Sequence, residues 1–347
     1  MSIWDAVVGQ PGAVASLQRA ATNPVHAYLF VGPPGSTKDE ASRAFAAALL
    51  TGRDDPTERD SRLVLAGEHP DVREVMRVGP AISAEQASEI VRQATLAPVE
   101  GDRKVLILHE FHLLNANGAG KLLKTIEEPP ASTHFVVLAD FVPIDLITIA
   151  SRCVRVEFMP IPASVLADRL VAEGHDPAAA AEAAASSSGR LDRARLLAAD
   201  PEFAARRSLF AELPARLDGT GSTVVGAAAE VLASIEAAAE PLSARHADEI
   251  DRLDEREKRL GSRGSGRAAI EARHKREIRR HRTDELRSGL AVMAGRYRDA
   301  LVAGTAADPE RVIAAVHRLH DSIEALDNNP NETLLLQSLF WSMPVVR

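Results

Sequence analysis

With Cys153 as its only cysteine in 347 residues, the chain has no means of forming a disulfide framework or a four-thiolate zinc site. Aromatic residues make up only 4% of it, a composition that goes with Ala-rich helix packing rather than with large rings. No apolar run approaches the roughly 18 residues a membrane span needs. The opening Met1-Ser2-Ile3-Trp4-Asp5 lacks the basic-then-apolar layout of a secretory signal, so a cytoplasmic location without a membrane partner is expected. The net charge of −8 argues against non-specific DNA binding by the chain as a whole. That charge is uneven, because Asp251 to Ala300 carries 15 Lys and Arg against 9 Asp and Glu, a net +6 against −14 for the remainder.

What is present is a soluble globular composition, 46% hydrophobic and 26% charged, in a chain long enough for two or three domains. The chain is organised around Gly32-Pro33-Pro34-Gly35-Ser36-Thr37-Lys38-Asp39, which follows the apolar run Tyr28-Leu29-Phe30-Val31 and precedes an Ala-rich helical stretch from Glu40 to Leu50. Strand, glycine turn and helix N-terminus together make an anion-sized concavity lined by backbone amides, to which a lysine adds a point charge. The pattern G-x-x-x-x-G-K-[ST] fails twice, however. Thr37 replaces the second glycine, and Asp39 stands where a hydroxyl should meet magnesium.

The rest of the first 160 residues alternates strand and helix. A helix follows Gly9-Gln10-Pro11, residues 51–61 read as loop, and Val72–Val78 as a strand. Ser83 with Gln86 makes a capping box for the next helix, and Lys104–Leu108 is a strand buried on both faces. His109-Glu110-Phe111-His112 lies at its C-terminal end, where ligands of open α/β sheets bind. A helix from about Ala116 to Glu128, a strand at Phe135–Ala139 and another at Cys153–Phe158 complete a doubly wound domain. After Pro160 only helices are expected, with a boundary near Asp200-Pro201. Two charge-dense stretches, 244–260 and 267–287, flank Gly261–Gly266 and read as a helical hairpin.

Gly9-Gln10, His26-Ala27-Tyr28-Leu29-Phe30, Gly32-Pro33-Pro34-Gly35, Leu122-Leu123-Lys124-Thr125-Ile126-Glu127-Glu128-Pro129-Pro130 and Thr148-Ile149-Ala150-Ser151-Arg152-Cys153 occur in one order. Together they resemble the delta-prime subunits of bacterial DNA polymerase III clamp loaders, within the AAA+ superfamily. The resemblance covers residues 9–153 and, more loosely, Asn328–Leu336. It implies an AAA+ P-loop domain over 1–160, a helical lid over 161–200, and a helical collar over 201–347 carrying the charged hairpin 244–287. It also implies a stator in DNA replication that hydrolyses nothing and lends Arg152, within Ser151-Arg152-Cys153, as an arginine finger to a neighbouring motor subunit's ATP site. A guanidinium suits that task because it stays charged and bridges two phosphoryl oxygens. The implied partners are the tau/gamma motor subunits, the delta subunit and, indirectly, the sliding clamp and primed DNA, at replication forks on the nucleoid.

Departures from the family pattern bear on the nucleotide site. The residues carried over to it are Gly32, Gly35, Lys38, Glu110 as a water-orienting base, and Arg193 as the lid's sensor arginine or an interdomain ion-pair partner. His109 replaces a second-shell aspartate, and Ala139-Asp140 falls at the sensor position. Thr37, Asp39, His109 and Asp140 together are expected to remove metal ligation and add negative charge, converging on one lost magnesium. No cofactor is required on this reading; residual ATP or ADP binding stays open. The family's zinc module is excluded on ligand count, since residues 51–70 hold no cysteine, and no other metal is expected. Two other functions compete: an autonomous AAA+ ATPase with an unusual metal shell, and a nucleic-acid-binding module using Arg273, Lys275, Arg276, Arg279, Arg280 and Arg282 of the hairpin.

Overall fold

The computed structural model describes residues 1–77, 79, 81–260 and 267–346. They form two compact units, Met1–Ala198 and Ala199–Arg347. In the first, the order is α1 (Pro11–Thr22), β1 (Ala27–Val31), α2 (Lys38–Thr51), α3 (Arg59–Leu65), β2 (Val72–Val75), α4 (Ala84–Thr95), β3 (Lys104–Leu108) and α5 (Ala116–Glu127). There follow β4 (Thr133–Ala139), α6 (Ile147–Ala150), β5 (Val154–Glu157), α7 (Ala163–Ala172), α8 (Pro177–Ser186) and α9 (Leu191–Ala199). The five strands are parallel in the order β2-β3-β4-β1-β5. This is the doubly wound α/β domain that the alternation of elements predicts, and helices alone follow it, as expected.

Helices cover both faces of the sheet, so β1, β3 from Val105 and β4 from Phe135 are apolar at successive positions whose side chains alternate between two buried layers. Tyr28, Phe30, Val105, Ile107, Val136 and Leu138 pack on one face with Leu17, Ala44 and Phe45 from α1 and α2. Their neighbours Leu29, Leu106, Leu108, Phe135 and Val137 pack on the other with Ala87, Ile90, Leu122 and Ile126 from α4 and α5. The Tyr28 and Phe45 rings meet edge to face at 4.6 Å. Phe30 and Phe45 are both 0% exposed, and full burial of such a side chain contributes roughly 1.5–3 kcal/mol.

Local differences from the sequence reading have simple causes. The expected strand 72–78 ends at Val75, and its Val78 lies outside the described residues. The loop expected over 51–61 gives way at Arg59 to α3, a seven-residue helix too short for its periodicity to register. Ser83 does cap α4, its side chain accepting from the Gln86 amide at 3.3 Å. Helices α7 to α9, expected as a lid over 161–200, fall within the first unit.

The second unit is all helical: α10 (Phe203–Arg216), α11 (Gly221–Ala238), α12 (Glu240–Leu260), α13 (Arg267–Val302), α14 (Pro309–Ala325) and α15 (Glu332–Trp341). Helices α12 and α13 are the expected hairpin arms, and its turn, Gly261–Gly266, lies outside the described residues. Contrary to the sequence reading, one stretch, Gly221–Glu255, is long and apolar enough to cross a bilayer by length and composition. Alanine supplies much of that hydropathy. Val224, Val231 and Ile235 within it are buried in the unit's own core with Leu290, Tyr297 and Phe340.

Candidate functional site

The glycine loop leaves β1 at Gly32 and enters α2 at Lys38. Its two glycines are required by close packing. A Cβ on Gly32 would lie 2.4 Å from the Phe158 carbonyl oxygen, and one on Gly35, where φ is +69°, would lie 2.2 Å from Asp192 Oδ1. Thr37 takes φ +63°, the left-handed region that costs a residue with a Cβ roughly 1–2 kcal/mol. The position thus keeps the geometry of the glycine it lacks. Its hydroxyl is spent on the Val8 carbonyl at 3.2 Å. The Gln10 side-chain amide ties the loop down by donating to the carbonyls of Ser36 at 3.1 Å and Met159 at 2.6 Å, and its oxygen accepts from the Met159 amide. From the helical segment, the Leu191 amide donates to the Gly35 carbonyl at 3.0 Å.

Lys38 is buried, 5% exposed. Its Nζ lies 2.9 Å from the Gly32 carbonyl, 3.2 Å from the Pro33 carbonyl and 2.8 Å from Asp140 Oδ1. An ammonium has three donors, and all three are directed at the protein's own oxygens. The Asp140 amide in turn donates to His112 Nδ1 at 3.1 Å, and burial holds the His112 imidazole below its ordinary pKa.

A second network sits beside this one. His109 Nδ1 is 3.0 Å from Asp39 Oδ1 and Nε2 is 3.0 Å from Glu74 Oε2, while Arg43 makes a two-pronged contact with Glu74 at 2.6 and 3.0 Å. Burial pushes the His109 pKa down, but the two carboxylates outweigh it and raise the imidazolium to about 9. Burial likewise opposes ionisation of Glu74, yet His109 and Arg43 bring its pKa to about 2. At neutral pH this is a charged chain of Asp39, His109, Glu74 and Arg43.

The expectation that Asp39, His109 and Asp140 converge on one site with excess negative charge is therefore corrected. They belong to two networks, and each carboxylate has a cation: Asp140 has Lys38, and Asp39 has His109. Glu110 does not stand ready to orient water; it is held 2.8 Å from Arg77 Nε, on a backbone with φ +50°. Arg193 is 4% exposed and donates to the Ser186 carbonyl at 3.3 Å inside its own helical layer, and the side chains of that segment that approach the loop belong to Arg190 and Asp192. Arg43, Glu74, Arg77 and Arg190 are the site residues that motif reading missed, because long salt-bridge partners carry no spacing signal. Gln10, quoted in the Gly9-Gln10 motif without a role, proves to hold the loop.

Arg152 lies two residues past the end of α6, its backbone amide bonded to the Ile149 carbonyl at 3.0 Å. The guanidinium folds back, with Nε 3.0 Å from Glu127 Oε2 at the end of α5 and Nη1 2.8 Å from the Thr148 carbonyl. About a third of the side chain is exposed. Ser151 donates its hydroxyl to the Thr148 carbonyl, and Cys153 is packed against α6, burial pushing its thiol up to about 12. Cys153 is thus a packing residue with little thiolate character.

Among the described residues, one cluster of metal-ligand type comes together, Asp60, His69 and Glu100. Arg59 Nη1 already lies 2.7 Å from both Asp60 Oδ1 and Glu100 Oε2, so a guanidinium bridges the two carboxylates and offsets one of their two charges. Part of the hairpin's positive charge is paired: within it Arg273 and His274 meet Glu249, Arg245 and His246 meet Glu277 and Arg267 meets Asp254, while Arg282 meets Glu236 of α11 and Glu332 of α15. The His246 and His274 rings stack at 3.9 Å.

Residues 9–162 match the family model described as DNA polymerase III, delta subunit. The resemblance read from the sequence holds over that span. A stretch of 192 residues is 30% identical to the DNA polymerase III subunit delta-prime of Bacillus subtilis, covering 54% of this chain and 58% of that protein. The tau subunit from the same organism is 32% identical over 175 residues, covering 48% of this chain and 31% of tau. Over about half its length this chain is similar to both subunits. It spans little more than half the length of the delta-prime relative. A solved structure of a gamma subunit-related protein of DNA polymerase III from Thermotoga maritima aligns over 94% of this chain and 97% of its own, with 14% identity and a TM-score of 0.46.

Proposed function

We propose that this chain is a non-hydrolysing subunit of a DNA polymerase III clamp loader, a cytoplasmic stator that presents Arg152 to the ATP site of an adjacent tau/gamma-type motor subunit. In that assembly it would sit with a delta subunit and act on the sliding clamp at primed DNA. The observation that carries the reading is the engagement of Lys38 by Gly32, Pro33 and Asp140. A phosphate could reach the ammonium only by displacing an internal partner, and Asp39, beside it, offers a carboxylate where magnesium chemistry needs a hydroxyl. Arg152, by contrast, is surface-accessible and held by a half-exposed carboxylate. A guanidinium so placed can exchange Glu127 for a phosphoryl group on a neighbour.

The test is a reconstituted loader containing the Arg152→Ala chain. Turnover at the one ATP site that Arg152 serves should fall by roughly 10³-fold or more if the arginine acts as fingers do in GTPases, and the loader's total ATPase should fall by that site's share. Unchanged DNA-stimulated turnover would refute the proposal. The autonomous-ATPase reading requires magnesium-dependent turnover by the isolated chain that Lys38→Ala abolishes. The nucleic-acid reading loses Arg273 and Arg282 to carboxylates but keeps Lys275, Arg279 and Arg280 at the surface, and it requires salt-dependent DNA affinity that is lost on deleting residues 244–287.

A further inference from the structure

Helix α13 changes character along its length. Leu286, Leu290 and Met293 are buried in the core of the helical unit. Arg279 precedes Leu286 by seven residues and Lys275 precedes it by eleven, so both continue that face toward the hairpin turn, and both are exposed. Arg280 is exposed beside them. Where the face emerges into solvent, cations take the place of leucines.

Charge on the hairpin is sorted rather than mixed. Residues 267–287 hold four carboxylates, and each has a guanidinium: Glu271 has Arg267, Glu277 has Arg245, Asp284 has Arg287 and Glu285 has Arg206. No described residue forms an ion pair with Lys275, Arg279 or Arg280. His274 and His281 of α13 face α12 and the end of α11. At about 100° per residue the three cations lie roughly 100–160° around α13 from them. The exposed carboxylates of α12, Asp248, Asp251 and Glu255, lie roughly 140–180° around α12 from His246, on the side turned away from α13. A helix face that needs only solubility alternates its charges, whereas Lys275 and Arg279 form a like-charged i,i+4 pair that costs stability.

The rest of the two arms says what such a face fits. Among the described residues no large apolar side chain of either arm is exposed, so the apolar anchor of a protein contact and the apolar stripe of a membrane-surface helix are both missing. From Glu240 to Arg296 the sequence holds no Phe, Tyr or Trp on which an unstacked base could lie. Cations alone suit a duplex, which keeps its bases stacked inside and turns its phosphates outward. We infer that the outer face of α13, through Lys275, Arg279 and Arg280, binds the phosphate backbone of a DNA duplex without regard to sequence. Asp248, Asp251 and Glu255 on the far side of the hairpin, and the net −14 outside residues 251–300, confine the duplex to this face. The function adds to the stator reading and does not pass through Arg152.

The experiment titrates the full chain onto a fluorescent DNA duplex of about 20 base pairs and reads anisotropy. Three phosphate contacts predict a slope of log affinity against log salt of about −2.7, a loss of roughly 40-fold between 50 and 200 mM. Lys275→Gln/Arg279→Gln/Arg280→Gln should lose most of the affinity and flatten the slope. A charge-matched variant at exposed cations elsewhere, Arg19→Gln/Arg62→Gln/Arg311→Gln, should keep the wild-type slope. Because the three hairpin side chains face solvent, their variant should unfold at or slightly above the wild-type urea midpoint. Equal losses in the two variants would reveal attraction by bulk charge alone and overturn the site, as would a wild-type chain that leaves the duplex unbound at 50 mM salt. Tighter binding of one strand of the same oligonucleotide overturns the duplex, and so does capture of the wild-type chain, but not the hairpin variant, by phosphatidylserine vesicles. Arg152→Ala should bind the duplex normally, so failure of this site and failure of the finger are read separately.

Discussion

The Lys38 ammonium lies 2.8 Å from Oδ1 of Asp140, so the lysine of the glycine loop and the carboxylate at the end of β4 satisfy each other. Lys38 is nearly sealed from solvent while Asp140 is a quarter exposed. In Lys38→Ala, Asp140 and the carbonyls of Gly32 and Pro33 lose their shared donor, which should cost roughly 1–3 kcal/mol in urea unfolding. The ATPase of a loader containing this variant should be unchanged. A collapse of turnover would show that the loop binds nucleotide after all.

His109 sets a pH dependence. Its folded pKa of about 9 stands above the ordinary 6.5, so its contribution to stability is complete below pH 6.5 and is lost as pH rises toward 9. Glu74, at about 2 against 4.5, contributes above pH 4.5 and loses its contribution as pH falls toward 2. Stability from this chain of charges is therefore greatest between pH 4.5 and 6.5. In His109→Gln the decline from pH 6.5 to 9 should flatten relative to wild type in thermal melts, and an identical alkaline slope would contradict the assignment.

Glu127 competes with any external anion for Arg152. Both side chains are at least one-third exposed, and exposed ion pairs contribute at most about 1 kcal/mol, a factor of about five in an equilibrium. Glu127→Gln should thus raise the motor's stimulated rate at saturating concentrations of this chain by up to about fivefold. A large loss of stimulation would instead mean that Glu127 is needed to aim the guanidinium.

In the helical unit, Arg206 lies between Asp200 at 2.6 Å and Glu285 at 2.7 Å, with Arg206 and Glu285 each 4% exposed. Removing one member of such a buried group leaves uncompensated charge, so Arg206→Ala should destabilise that unit by roughly 3–5 kcal/mol in denaturant unfolding. A change below about 1 kcal/mol would show that water reaches the carboxylates.

The sheet was legible because β1, β3 and β4 are short apolar runs bounded by turn signals, and α4 because Ser83 and Gln86 announce its start. The site was legible only in part. Lys38, Asp39, His109 and Asp140 could be placed near one another from motif and strand-end logic, but that logic supplies position without pairing. It could not foresee that His109 would join Asp39 to Glu74, whose strand lies beyond β3, or that Asp140 would turn to Lys38. Arg190 and Asp192 were passed over in favour of Arg193 because helical phase, which motif reading ignores, decides which of three neighbouring residues faces the loop.

The strand order has a consequence for synthesis. β1 lies between β4 and β5, so Ala27–Val31 has neither hydrogen-bonded neighbour until Thr133–Ala139 has been made. About a hundred residues separate them, which at 5–20 residues per second is roughly 5–20 s of translation. Throughout that interval Ala27-Tyr28-Leu29-Phe30-Val31, an uncharged strand former, is a ready template for foreign β-pairing. The segment that positions the glycine loop in the finished protein is thus one that a chaperone would need to shield while the chain is being made.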